Sequence, residues 1–398
     1  MIKPDPDTLL VGLCLLLLFF YFLGERLRLA KKRRAIPLRI CISGIRGKST
    51  LTRLIASSLR EAGFAVLAKT TGSKPVLIFP DGQEKEIERR GLASILEQKI
   101  LLGVATKLKV QALVAEMMSI QPECISAESR KILVPHILVI TNVRLDHLDL
   151  MGKTREEIGL SLSSSIAPGS TVFIPQEEYL PVFGTVAEKL KAKIIQVKKN
   201  SSQEYFSREF EENIRLALAV TDFLGLKKET ALQGMKKAQP DFGSLKIFQS
   251  TFELLPQPWY LVSAFAANDP ESTGKALLRV KEMIPFSGKK IIGLLNLRED
   301  RGDRTLQWFR ALEEGFFSEF SKLIFIGAHA RAISRKKRFR FSSQTAVTAF
   351  SDKRPERIME KILAREKEEA ILFGMGNMGG LGKKLVEYWE KIGKPYGN

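Results

Sequence analysis

Apolar positions in this chain fall into two kinds of run. From Leu9 to Leu23 they are unbroken apart from Gly12, with Thr8 and Gly24 as flanks. Beyond that they come in short blocks separated by amphipathic stretches. Leu38–Ile42, Ala65–Ala68, Ala112–Ala115, Ile137–Thr141 and Thr171–Ile174 have the length and continuous apolar character of strands buried on both faces. Helical spacing lies between them, at Leu51–Glu61, Leu92–Leu101, Arg155–Ile166 and Glu209–Leu224. That alternation predicts an α/β fold with a doubly wound, mainly parallel sheet. Turn residues at Gln239-Pro240-Asp241-Phe242-Gly243 interrupt the pattern and predict a linker. A second alternating series follows, with strands predicted at Trp259–Ala264, Lys290–Leu295, Leu323–Ile326 and Ala370–Phe373. The expected organisation is residues 1–35 as an anchor with a basic flank, 36–240 as one α/β domain and 241–398 as a second, Rossmann-like one.

The first run, with its flanks, is roughly 17 residues, or about 25 Å of helix, short but able to span a bilayer. Asp5 and Asp7 precede it and Glu25-Arg26 follow it, which argues against a cleaved signal peptide. Arg26, Arg28, Lys31, Lys32, Arg33 and Arg34 would hold the following flank in the cytoplasm. The expectation is a single-pass protein of the cell membrane, with its N-terminus outside and both α/β domains in the cytoplasm.

Composition changes this picture in two places. The 398 residues carry a formal net charge of +19, which suits a membrane surface, a polyanionic ligand or nucleic acid. No helix-turn-helix signature, zinc spacing or series of stacking aromatics appears, so no nucleic-acid partner is expected. Cys14, Cys41 and Cys124 are scattered and odd in number, so they are expected to be small buried hydrophobes rather than a disulfide framework.

The chemistry begins at Gly44-Ile45-Arg46-Gly47-Lys48-Ser49-Thr50, between the first strand and the first helical pattern. Glycines at a strand-to-helix turn let backbone N–H groups approach an anion, and the helix dipole favours its charge. Lys48 would reach the β- and γ-phosphates of ATP, and Ser49 would sit on Mg²⁺. The standard P-loop has a glycine where this chain has Ile42, so the loop is a short form. Glu116 ends an apolar strand, where a carboxylate is costly unless paired or bound to metal, and a metal role is favoured. Thr141-Asn142-Val143-Arg144-Leu145-Asp146-His147-Leu148-Asp149 gathers an amide, carboxylates and an imidazole after another strand. His147 is the best ligand candidate among the histidines; His136 reads as structural and His329 as either.

In the second domain, Asn268-Asp269 follows one strand, and Arg298-Glu299-Asp300-Arg301-Gly302-Asp303-Arg304 follows another. Arg and Asp alternate at this strand end, which suits binding an acidic substrate through guanidinium contacts, with Arg298, Asp300 and Arg304 as the candidate residues. Gly374-Met375-Gly376-Asn377-Met378-Gly379 spells a dinucleotide fingerprint, but no acidic residue follows a second strand about twenty residues on. A close turn or phosphate contact is expected instead. The basic run Arg331 to Arg340 reads as a solvated or membrane-facing surface, with attraction to a polyanion as the sharper alternative.

Together the short glycine loop, Glu116 and Thr141 to His147 resemble the ATPase domain of the Mur ligase superfamily, ATP-dependent amide ligases that include folylpolyglutamate synthase. Ile45 to Thr50, Ala68-Lys69-Thr70-Thr71-Gly72-Ser73, Glu116 to Glu123, Ile140 to Gly152 and Ala264 to Pro270 are most similar to its poly-γ-glutamate synthase branch. The resemblance implies a Mur-type P-loop ATPase domain, ATP and Mg²⁺, and glutamate polymerised through an acyl phosphate. It implies Ser49 and Glu116 on one Mg²⁺, His147 on a second, and Thr71 and Ser73 near the phosphates. Asn213 would contact adenine, Asp269 would meet the nucleotide, and Lys48, Glu116 and His147 would form the catalytic set. The implied partners are glutamate, the growing poly-γ-glutamate, the membrane and small membrane subunits. Many members carry a carbamylated lysine after the Asp-His motif; the stretch from Glu157 to Ser165 has none. The alternatives are a Mur-type or folylpolyglutamate-type ligase with another acceptor, and a membrane-bound P-loop kinase or NTPase.

Overall fold

The computed structural model describes residues 5–72, 74–89, 91, 93–199, 210–252, 258–286, 289–299, 302–315, 318–328, 330, 345–366 and 368–396. The chain divides into two compact units, one of residues 1–71 and 75–239 and one of 72–74 and 240–398.

The first unit opens with α1 (Pro6–Arg34), whose segment from Leu9 onward is long and apolar enough to cross a membrane. Then come β1 (Leu38–Ser43), α2 (Lys48–Glu61), β2 (Val66–Thr70), β3 (Val76–Ile78), β4 (Glu84–Glu86), α3 (Glu97–Lys107) and β5 (Ala112–Glu116). A short helix, α4 (Pro122–Ser126), runs into a π-helical turn at Ala127–Leu133, followed by β6 (Ile137–Ile140), α5 (Leu148–Met151), α6 (Arg155–Ser163) and β7 (Thr171–Pro175). The unit closes with α7 (Pro181–Lys189), β8 (Lys193–Val197), α8 (Glu211–Phe223) and α9 (Lys228–Lys237).

Its eight strands stand in the order β4-β3-β2-β5-β1-β6-β7-β8. Every pairing is parallel except the β2–β3 and β3–β4 hairpins. Strand β1 is central, with Ile42 opposite Glu116 of β5 and Ser43 opposite Ile140 of β6. The chain leaves β1 toward one side of the sheet and later fills the other, so the crevice at its carboxyl end is the topological switch point. Alternate residues of the central strands face two separate cores. Cys41, Leu67, Leu113 and Leu138 pack with α3, α6 and α7; Ile40, Ala68, Val114 and Val139 pack with α2, α8 and α9.

The second unit runs β9 (Lys246–Ser250), β10 (Trp259–Ser263), α10 (Pro270–Met283), β11 (Lys290–Leu297), α11 (Gly302–Glu313), β12 (Lys322–Gly327) and β13 (Ala346–Ala349). It ends with α12 (Pro355–Leu363), β14 (Ala370–Gly376), α13 (Leu381–Ile392) and β15 (Lys394–Pro395). The sheet order is β13-β12-β11-β14-β10-β9-β15, parallel from β13 to β10, with β9 antiparallel to both of its neighbours. Helices α10 and α11 cover one face, and α12 and α13 the other.

Several elements differ from the sequence expectation. The helix expected at residues 92–101 starts later and ends at Lys107. Leu101, Leu102 and Ala105 are its buried face, and the apolar residues before Glu97 lie in a turn. The short strands β3, β4, β8, β9, β13 and β15 were not expected: each lies at or near a sheet margin, where a continuous apolar run is not required. Helix α6 starts where expected because Thr154 and Glu157 form a reciprocal capping box. Of the cysteines only Cys41 is a buried hydrophobe; Cys14 lies on the exposed face of α1 and Cys124 is half-buried. His136 is structural, its Nδ1 accepting the Arg39 backbone N–H at 3.1 Å.

Helices α2 and α9 approach so closely that a Cβ on Gly234 would lie 2.6 Å from both Ser57 O and Ser58 Cα. Because these are backbone atoms, neither can turn aside. Gly234→Ala is expected to destabilise the first unit by about 1–3 kcal/mol, lowering its thermal midpoint by about 2–4 °C per kcal/mol. A scanning calorimetry trace with an unchanged midpoint would show that the helices can separate freely.

Candidate active site

The glycine loop leaves β1 at the switch point, and its shape is dictated by what lies beneath it. Gly44 has φ +114°, and a Cβ there would stand 2.2 Å from Thr141 Oγ1 and 2.8 Å from Thr141 N. Gly47 has φ +78° at the start of α2, and a Cβ there would stand 2.6 Å from Asn213 Oδ1 on α8. Both positions therefore need glycine twice over, for conformation and for space. Asn142, just beyond β6, clamps the turn: its Oδ1 accepts the Arg46 N–H at 2.9 Å and its Nδ2 donates to Arg46 O at 3.1 Å. An amide bound to both peptide units that flank Arg46 fixes their orientation, and with it the direction of the neighbouring N–H groups. Asn142 was only part of a motif in the sequence; its place opposite the loop comes from β6 pairing beside β1.

Lys48 folds over the loop, donating to Gly44 O at 2.8 Å and Ile45 O at 3.3 Å. Burial pushes its pKa below the ordinary lysine value, Glu116 opposes that shift, and Arg46 adds to it. A poorly solvated ammonium of this kind gains from an anion brought beside it. The first turn of α2 contains no acidic side chain to compete for that anion.

Glu116, at the end of β5, is buried. Its Oε2 accepts the Ser49 hydroxyl at 2.7 Å and the Thr71 N–H at 2.7 Å. Hard oxygen donors from a P-loop serine and a strand-end carboxylate suit Mg²⁺ or Mn²⁺, which keep waters and take the remaining ligands from phosphate. The residues therefore fit a divalent cation. Among the described residues no three His, Cys, Asp or Glu side chains could hold a metal by themselves, so the site is not an all-protein cage.

His147 sits on the other side of the loop at φ +53°, a left-handed backbone uncommon for a residue with a Cβ. Asp146 Oδ1 accepts its N–H at 2.9 Å, while Oδ2 lies 3.6 Å from His147 Nε2 and 3.1 Å from Arg46 Nη2. Asp146 thus ties the imidazole to the glycine loop. Ser73 lies outside the described residues.

Behind Glu116 is a buried polar network that sequence reasoning missed. Gln98 Nε2 donates to Glu116 O at 3.2 Å and to Glu128 Oε1 at 2.6 Å. Glu128 also accepts the backbone N–H groups of Met118 and Ser119 and the Ser119 hydroxyl. Lys69, 1 % exposed, pairs with Glu97 at 3.0 Å, and Glu97 with Arg89 at 2.8 Å. No local pattern announces this network; its members meet only because α3 and the π-helical turn pack on one side of β5.

In the second unit the structure brings Arg298 and Arg304 to the glycine-rich turn after β14. Arg304 is buried and donates to Asn377 Oδ1 at 3.2 Å. Asn377 and Asn296 exchange side-chain to carbonyl bonds, at 3.2 and 2.6 Å. A Cβ on Gly379 would lie 2.3 Å from Arg298 Nη1, so the guanidinium lies directly on that glycine. Gly374 and Gly376 are inside β14, packed against Phe265 and Asn296, so the glycine spelling serves close packing. Asp269 caps α10, accepting the Ser272 N–H at 2.8 Å. Asp300, His329 and the run from Arg331 to Arg340 lie outside the described residues.

The Asn142 clamp is testable. Asn142→Ala removes two hydrogen bonds of roughly 1 kcal/mol each, so kcat/KM for ATP should fall about tenfold or more and the thermal midpoint of the first unit by about 4–8 °C. A variant with wild-type ATP kinetics would show that the loop holds its shape without it.

Comparison with known proteins agrees with this geometry. Residues 42–238 match the family model of the Mur ligase middle domain, and residues 252–392 that of the poly-gamma-glutamate synthase CapB C-terminal domain. The chain is 32% identical over 397 residues to the capsule biosynthesis protein CapB of Bacillus anthracis, covering 97% of this chain and 84% of that protein. It is 33% identical over 386 residues to the PGA synthase CapB of Bacillus subtilis (strain 168), covering 95% and 96%. Among solved structures it is similar in fold to a bifunctional folylpolyglutamate synthase/dihydrofolate synthase of Yersinia pestis complexed with AMPPNP and a Mn ion. There the TM-score is 0.67 at 16% identity, over 92% of this chain and 91% of the other. The chain belongs to the CapB family of Mur-type, ATP-dependent ligases.

Proposed function

We propose that this protein polymerises glutamate into poly-γ-glutamate at the cytoplasmic face of the cell membrane, forming ADP and phosphate. The observation that carries the reading is the Ser49–Glu116 oxygen pair beside a clamped glycine loop, in a chain one-third identical to a PGA synthase. Backbone N–H groups of the loop and the first turn of α2 cradle the phosphates of ATP, with Lys48 over the β- and γ-phosphates. Asn213, whose Oδ1 lies against Gly47, is the proposed adenine contact. Ser49 and Glu116 would hold a divalent cation, Mg²⁺ in the cell, which when bound neutralises phosphate charge; His147, steadied by Asp146, is a second ligand candidate. Arg298, Asp300 and Arg304 are the proposed carboxylate-binding and orienting residues for glutamate, and Asp269 is a proposed nucleotide contact. Small membrane subunits are proposed partners by analogy with the family.

In the reaction a γ-carboxylate oxygen attacks the γ-phosphorus of ATP, and ADP leaves. The neutral amine of another glutamate or chain end then attacks the acyl carbon of the resulting acyl phosphate. A C–N bond forms, the C–O bond to phosphate breaks, and the nitrogen gives up a proton as phosphate departs. Catalysis on this scheme is positioning and charge neutralisation, supplied by Lys48 and the loop.

Purified protein in vesicles, given ATP, Mg²⁺ and glutamate, is expected to release ADP and phosphate with a γ-linked polymer. Lys48→Ala should reduce glutamate-dependent turnover by about a hundredfold or more. Release of AMP and pyrophosphate would overturn the acyl-phosphate route, and ATP turnover indifferent to glutamate would favour an NTPase.

A further inference from the structure

Helix α1 does not stop where its apolar run stops. One unbroken helix carries the chain from Pro6 to Arg34, and its last third lies against α3. Glu25 pairs with Lys99. Farther along, a Cβ on Gly103 would come within 3.3 Å of Lys32 Nζ, and Thr106 Oγ1 lies 3.5 Å from Lys32 O. Leu29 packs into the core that holds Leu101 and Leu102. Ascending residues of α1 meet ascending residues of α3, so the two helices run parallel here. Stepping back along α3 therefore leads toward the apolar run. At 1.5 Å per residue, Leu23 lies about 3 Å before Glu25, and Leu96 lies about 4.5 Å before Lys99. The two reach the same level.

What α3 presents at that level is apolar and uncovered. Leu96 is 54% exposed and Ile100 68%, and Leu27 on α1 is 61% exposed. Single exposed aliphatics need no explanation, but these stand where a bilayer around the apolar run would begin. Arg26, Arg28 and Lys31, on the same stretch of α1 as Leu27, are exposed cations. Apolar side chains next to a span, flanked by basic ones, match the chemistry of an anionic lipid headgroup layer.

We propose that Leu96, Ile100 and Leu27 form an interfacial foot that rests in the cytoplasmic leaflet, with Arg26, Arg28 and Lys31 on anionic phospholipid headgroups. The proposal rests on the reading of α1 as a membrane anchor. It makes the attachment two-pointed: a span in the bilayer and a wedge on its surface, joined by one continuous helix. Because α3 also carries Gln98, which holds the Glu116 carbonyl, the foot sets the height of the candidate metal carboxylate above the lipid.

The test uses the full chain in phosphatidylglycerol–phosphatidylcholine vesicles, unbrominated, brominated on the acyl chains near the headgroup for the labels at 100 and 236, or brominated near the acyl-chain ends for the label at 14. Cys14 labelled with an environment-sensitive fluorophore, in a Cys124→Ser background, reports on the anchor. Ile100→Cys in a Cys14→Ser, Cys124→Ser background reports on the foot, and Lys236→Cys on α9, at the opposite face of the sheet, is the control. The label at 100 is expected to lose about half its emission in brominated vesicles, as a headgroup-depth site would, with no loss at 236. Quenching at 14 with none at 100, including shielding at 100 by another protein without quenching, overturns the foot and leaves the anchor standing. No quenching at 14 removes the anchor and the foot together. Equal quenching at 100 and 236 means general adsorption and also overturns it.

Discussion

Everything in the candidate site depends on the clamp between Asn142 and the backbone of Arg46. Strand β1 delivers the glycine loop and β6 delivers Asn142, and their parallel pairing at Ser43 and Ile140 sets the distance between them. Thr141 fills the space under Gly44 and Asn213 the space beside Gly47. The loop is thus held from three sides by side chains distant in sequence. A loop shaped in advance need not be ordered by its ligand, and the ordering cost is met in folding.

The carboxylate side of the site follows the same logic. Glu116 is opposite Ile42 in the β5–β1 register, two residues before Gly44, where the loop begins. Burying a carboxylate there is tolerable because Ser49 and the Thr71 N–H donate to it. Its own backbone is held by Gln98, and Gln98 by Glu128. Each layer satisfies the polar atoms of the one before it, which makes the network rigid and intolerant of single deletions. In the second unit the same economy appears at Asn296, Asn377 and Arg304, where the ends of β11 and β14 are stitched by side chains rather than by further strand pairing.

Helix α1 adds a constraint of a different kind. Its apolar segment and its docked segment are one helix, so the orientation of one dictates the orientation of the other. A flexible linker at residues 24–30 would have left the first unit free to tumble beside a membrane; the Glu25–Lys99 pair and the packing of Leu29 exclude that freedom.

The sequence alone determined the fold class, the central strands of both sheets, the apolar N-terminal helix and the glycine turn between β1 and α2. These depend on local information: continuous apolar runs, helical spacing, and glycine at a strand-to-helix turn. The same local information placed Glu116 at a strand end and Asp146 and His147 in the segment after β6. It misplaced the start of α3, because Ile95 and Leu96 fit a helical period but lie in a turn before it. It passed over the marginal strands, which carry little apolar signal, and it expected three buried cysteines where only Cys41 is buried. Only the tertiary structure decided that Asn142 clamps the loop, that Gln98 and Glu128 stand behind Glu116, and that Arg298 and Arg304 share a glycine-rich turn. Each is a meeting of residues far apart in the chain, fixed by strand order and register, and no spacing along a single segment encodes it.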